Sequence, residues 1–294
     1  MAYIFLLTAI LLNLVKSFCS KRISGRVSGL SDTVDVTLVR NILCALLGVM
    51  IIFMGGTEGF FMPPIGWIIC TVSGVAIGAN YVVWVLSLRS GVYLLTSTAN
   101  SANFIVAVFC AVVFFKESLP LPKILAIVFI LLAIFFMGKY QTESQGKPKP
   151  LHILLLFLVF LTAGVSSVTQ KWFTRTLPEI SAHTFTFYSL LVSVVLLTIF
   201  SAILPHKPTF KARTKSLSVS IIWIVIMAIA FYGVTYFQTG ASALLDAVVM
   251  YPMYNGLTLA GGCLMAWFCF KEKPSRNSVI GIILVFIAIM LQTL

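Results

Sequence analysis

Acidic residues are scarce in this chain: eight Asp and Glu stand against 20 Lys and Arg in 294 residues. Charged residues of both signs make up only 10% of it, where a soluble domain carries about 25%. Apolar residues fill 60%, and the mean hydropathy is +1.07. So little polar surface excludes a water-soluble globule of this size, and a disordered chain equally. The net charge of +12 arises from the shortage of acids, and the bases lie in short gaps between apolar runs. That pattern implies the lipid bilayer as partner and no nucleic acid. Chemical motifs are lacking too: there is no P-loop, no H-x-x-x-H and no C-x-x-C. ATP-driven pumping, a metal or redox site and a membrane-embedded enzyme are left without residues, and no cofactor is expected. The six cysteines (Cys19, Cys44, Cys70, Cys110, Cys263 and Cys269) lie in or beside apolar runs and read as small packing residues. No cleavable signal is expected, because the first apolar run starts at Ala2 and the bases Lys21, Arg22 and Arg26 follow it.

What is present is long apolar runs. A helix needs about 20 residues to cross the hydrocarbon core. By that measure the sequence predicts ten spans, at roughly 2–19, 34–54, 65–87, 92–115, 121–138, 151–174, 182–204, 217–237, 242–270 and 277–293. The runs are continuous, not alternating, so helices are expected and not a barrel. The longest polar stretch lies near the midpoint, and its residues 141–150 read as a linker between halves 1–140 and 151–294.

The halves resemble each other. Phe115-Lys116-Glu117 closes the fourth span and Phe270-Lys271-Glu272 the ninth, at an offset of 155 that also carries Ile127 onto Ile282 and Ala133 onto Ala288. Near the start of each half, Ser17 and Lys21 correspond to Ser167 and Lys171 at an offset of 150. Five spans per half, an odd number, would place the two copies in opposite orientations. Inverted repeats of this kind suit alternating access about a site near the midplane. The expected fold is therefore all-α and integral to the membrane, with ten helices in two inverted five-helix repeats.

This arrangement, with each half ending in an acid, a loop and a final span, resembles the EamA-type drug/metabolite transporter superfamily across nearly the whole chain. Tyr251-Pro252-Met253-Tyr254-Asn255-Gly256-Leu257, followed by Phe270-Lys271-Glu272-Lys273, is also similar to the small multidrug resistance branch. That branch carries a titrating glutamate in its first helix. The matching positions here are Asn13 and its repeat counterpart Ala163, and neither titrates.

Fourteen bases fall in odd-numbered loops and four in even-numbered ones, so the positive-inside rule puts both termini outside a bacterial cell membrane. Lys16 and Arg40 remain. Each falls within about a turn of the first loop and reads more readily as snorkelling to it than as holding a substrate carboxylate. Asp35 and Asp246 lie close enough to span starts to be N-caps.

Polar side chains at membrane depth face the bundle interior or a wet cavity. Thr96, Asn100 and Asn103 share one helical face, and the repeat offset carries them to Tyr251, Asn255 and Thr258, with Tyr254 adjacent. Two such stripes would line a shared site; the alternative is interhelical hydrogen bonding that only holds the bundle together. Asn80 with Tyr81, and Tyr232 with Tyr236, are further cavity candidates, although tyrosines also populate interfacial belts. Gly74 and Gly78 form a G-x-x-x-G step expected to bring two helices close. The expected cargo is a small polar solute, neutral or zwitterionic, such as an amino acid or related metabolite. Coupling to a proton or another ion stays open. The runner-up is a proton-coupled exporter of lipophilic cations, with Asp246 as the displaced proton site.

Overall fold

The computed structural model describes the backbone of residues 1–27, 29–55, 60–90, 93–145, 150–204, 210–271 and 276–292, and their side chains except at 89–90, 93–94, 137–145 and 210–219. Eleven helices follow one another among the described residues: α1 (Ala2–Ser24), α2 (Leu30–Gly55), α3 (Pro64–Ser90), α4 (Tyr93–Ser101), α5 (Phe104–Val113), α6 (Leu121–Gln145), α7 (Pro150–Thr176), α8 (Ala182–Ile203), α9 (Phe210–Leu244), α10 (Ala247–Phe270) and α11 (Arg276–Gln292). Eight stretches are long and apolar enough to cross a membrane, counting Leu95–Val113 as one; Leu121–Phe136 and Arg276–Gln292 are apolar but shorter. The chain is an integral membrane protein. α6 continues to Gln145, into the segment read as linker. The boundary expected between 237 and 242 is absent, because α9 runs unbroken to Leu244.

The packing turns the usual amphipathic rule over. On α1, Ile4, Leu7, Leu11 and Val15 face outward, whereas Leu6, Ile10, Asn13, Ser17, Ser20 and Ser24 are buried at alternating steps of four and three. Lipid solvates the apolar side, and the polar groups find partners only inside. α1 packs along α9, and α7 along α3; α2 lies against α8, α6 against α11, and α10 against both α4 and α5.

The segment expected as one fourth helix is broken. α4 stops at Ser101 and α5 restarts at Phe104. Across the break the amides of Asn103 and Ile105 reach back only three residues, to the carbonyls of Asn100 and Ala102. The Asn103 side chain holds the break: its Nδ2 donates to the Asn100 carbonyl at 2.5 Å. Interrupted backbone at this depth is tolerated only where it is buried in protein or lines a cavity.

The two Phe-Lys-Glu motifs are helix stops. Lys116 (φ 55°) and Lys271 (φ 56°) are the two non-glycine residues with left-handed backbone among those described. At the first, the Glu117 amide bonds the Ala111 carbonyl six residues back, closing α5 with a lysine where glycine is usual.

The N-cap reading fails for Asp35. It lies in the second turn of α2, buried, and accepts a hydrogen bond from Ser201 Oγ at 3.3 Å. Asp246 does occupy the N-cap position of α10, but its carboxylate makes no capping bond. Glu117 does that work instead: its Oε2 accepts from the Val248 amide at 3.1 Å. Its Oε1 lies 3.2 Å from Lys171 Nζ and 3.5 Å from Arg175 Nη2. Lys171 in turn donates to the carbonyls of Ser242 (3.1 Å) and Leu245 (2.8 Å) at the end of α9. One buried ion pair thus satisfies both helix ends at the α9–α10 corner. Glu272 lies outside the described residues.

Candidate functional site

A cavity of about 80 Å³ lies between α1, α2, α3, α4, α7, α9 and α10. That volume has room for roughly half a dozen waters, at about 10–15 Å³ for each. Six of the residues expected to line a site do so: Asn13, Asn80, Tyr81, Asn100, Asn103 and Tyr254. Their neighbours on the wall include Trp84, Ser167, Gln170, Thr235 and Gln238, with the apolar ring of Phe231.

Asn103 is the hub. It bridges the α4–α5 break to two other helices, donating to Asn255 Oδ1 at 3.1 Å and accepting from Ser167 Oγ at 3.2 Å. Asn255 is therefore buried behind the wall, its own Nδ2 donating to the Tyr251 carbonyl at 2.9 Å. Tyr251 is fully buried and gives its hydroxyl to the Ser167 carbonyl at 2.6 Å. Thr96 is committed to Ser87 at 2.8 Å, and Thr258 is buried away from the cavity. The two stripes are thus divided: Asn100, Asn103 and Tyr254 face the cavity, and Thr96, Tyr251, Asn255 and Thr258 pack behind it.

Tyr232 and Tyr236 belong to a separate cluster with His183. The His183 ring stacks on Tyr236 at 3.7 Å and its Nδ1 lies 3.1 Å from the Tyr232 hydroxyl. On the cavity, α9 instead presents Phe231, Val234, Thr235 and Gln238. Asp246 is remote from the cavity, with a side chain 57% exposed and Lys123 at 3.9 Å.

The snorkelling reading of Lys16 and Arg40 does not hold. α2 begins at Leu30, four residues before the expected start, so Arg40 lies about 15 Å along it at 1.5 Å per residue. Its exposure is 0%. The guanidinium is clamped between two rings, with its carbon 3.7 Å from the Tyr81 centroid and 4.1 Å from that of Phe231. One edge of the guanidinium is held as well, because Nε and Nη2 both donate to Asn41 Oδ1, at 2.9 and 2.7 Å. Asn41 is itself anchored to Ser193 Oγ at 2.7 Å. Lys16 also lines the cavity, its ammonium 5.6 Å from the same Phe231 ring. The site has the two basic groups that the sequence reading takes first as snorkelling and only second as carboxylate-holding, and among the described residues no acid lines it. The one legible signal was a lone arginine ten residues into a helix, obscured by a misplaced helix start.

Residues 1–139 and 150–294 each match the EamA-like transporter family. The chain belongs to this family. Among solved structures, a crystal structure of a protein with 14% sequence identity superposes with a TM-score of 0.71, covering 99% of this chain and 96% of its own. That likeness concerns the fold. No curated protein sequence matches this EamA-like chain.

Proposed function

We propose that this EamA-like protein is a secondary carrier that moves a small polar organic solute by alternating access. The observation that carries the reading is a buried polar cavity beside a broken helix, between halves that each match the family. Interrupted helices at a repeat interface are where carriers bind their cargo. Ten spans in two inverted repeats fit this reading. The pairing of α1 with α9 has its counterpart in α7 with α3, while α2–α8 and α6–α11 are each their own counterparts. The matched left-handed lysines at Lys116 and Lys271 add a second correspondence at the offset of 155. The distribution of bases supports an orientation with both termini outside, in what we take to be a bacterial cell membrane.

Amide and hydroxyl groups from Asn13, Asn80, Asn100, Asn103 and Tyr254 suit a hydrogen-bonding solute such as an amino acid or related metabolite. Export of lipophilic cations has less support, since Lys16 and Arg40 line the cavity. Asp246→Asn is accordingly expected to leave resistance to such cations unchanged; its loss in growth assays would revive that reading.

The carrier itself is tested by uptake into proteoliposomes of a labelled panel of amino acids, hydroxy acids and polyols. Asn100→Ala, at the cavity wall, and Asn255→Ala, behind it, are expected to lower transport several-fold at unchanged expression. Wild-type rates in both would remove the proposed site.

A further inference from the structure

The Arg40 guanidinium has three of its sides taken: a ring on each face and Asn41 on one edge. What remains is Nη1, which is buried and has no hydrogen-bond partner among the described residues. Arg40 is one of the residues that line the cavity. Lys16 brings a second basic group to the same Phe231 ring, and no described residue forms a hydrogen bond or ion pair with its ammonium. Two basic groups at one cavity inside a membrane protein, with no acid among the described lining residues, favour an anionic ligand. The rings and Asn41 fix the guanidinium plane, which suits it to a planar acceptor such as a carboxylate.

The wall also holds unmatched acceptors. Asn13 and Gln170 line the cavity, and their side-chain oxygens Oδ1 and Oε1 are buried with no donor among the described residues. They complement a hydroxyl or ammonium hydrogen on the same ligand.

We propose that the cargo is a small organic anion: a carboxylate seated against Arg40 Nη1 and the Lys16 ammonium, bearing a hydroxyl or amino group that donates to Asn13 and Gln170. The word cargo rests on the carrier reading above; the anion site itself does not. With two basic groups and no acid among the described lining residues, a hydroxy acid is favoured over a zwitterion, and both over a neutral amide.

The test is thermal stabilisation of the purified full chain in detergent by glycerate, serine and glyceramide, alongside two- to six-carbon mono- and dicarboxylates. The expected result is a saturable rise in Tm with glycerate, a smaller one with serine and none with glyceramide. Arg40→Gln and Lys16→Gln are each expected to weaken glycerate about ten- to hundredfold, the size of a lost charge-assisted hydrogen bond. Arg40→Lys, which keeps the charge and loses the fork, should fall between. If Arg40→Gln does not fold, Lys16→Gln and Arg40→Lys decide the matter by the same readout. Stabilisation by glyceramide equal to glycerate, indifference of glycerate to these substitutions, or no shift with any carboxylate would overturn the proposal. The two readings fail separately. Glycerate binding of this pattern without uptake into proteoliposomes would defeat the carrier and keep the anion site. Uptake of a neutral solute with no carboxylate binding would do the reverse.

Discussion

Glu117→Ala and Lys171→Ala are each expected to destabilise the protein by about 3–5 kcal/mol, the cost of leaving a buried charge without its partner. The side chains are 2% and 7% exposed, so water cannot replace what is lost. Each also serves backbone. Without Glu117 the Val248 amide at the start of α10 loses its acceptor, and without Lys171 the Ser242 and Leu245 carbonyls at the end of α9 lose their donor. Arg175 cannot substitute fully, because it is half-exposed and 3.5 Å from the carboxylate. The measurement is the apparent melting temperature in detergent, with Lys123→Ala as reference. That substitution removes only the 3.9 Å pair with the exposed Asp246, worth about 0–1 kcal/mol. The double variant Glu117→Gln, Lys171→Met is expected to be more stable than either alanine variant, since no charge is then stranded. A loss in the single variants no larger than in Lys123→Ala would show that the pair does not hold the corner.

The second large effect is expected where α3 meets α8. A Cβ added at Gly74 would run into the Ser189 backbone carbonyl and lie 2.7 Å from Val192 Cβ. Neither is the free end of a flexible side chain, so the helices must part. Gly74→Ala should cost about 1–3 kcal/mol, and Gly74→Leu more. Gly78→Ala differs in kind. Its Cβ would meet Ser193 Oγ at 2.6 Å, a hydroxyl that can rotate. That hydroxyl accepts from Asn41, and Asn41 holds the Arg40 guanidinium. Gly78→Ala is therefore expected to lower ligand affinity more than stability, and Gly74→Ala the opposite. Melting temperatures with and without glycerate separate the two, and identical behaviour of both variants would break the inferred chain from Ser193 to Arg40.

These residues also mark how far the sequence could be read. The G-x-x-x-G step was legible because close helix contact needs small residues at a spacing of four, which is a local property. The helices were legible for the same reason: unbroken apolar runs cannot be solvated by water, and lipid or protein must cover them. The repeated Phe-Lys-Glu was visible as a motif, but its roles as left-handed stop and distant N-cap were not, since Glu117 acts on an amide 131 residues away. Asn103 was read as one position on a polar stripe. It is instead the residue that breaks the stripe's helix and ties it to Ser167 and Asn255.

The sequence by itself determined the solvent, the helical class, the halves and the kind of side chain available at depth, all of which follow from composition and periodicity along one chain. Tertiary structure decided which of those polar groups face one another. Thr96 and Tyr251 satisfy their neighbours, whereas Lys16, Arg40, Asn13 and Gln170, from three different helices, bring unmatched charge and acceptors to one cavity. Whether a buried polar group is spent on its neighbours or left for a ligand depends on what lies across from it, and spacing along a single helix carries no record of that.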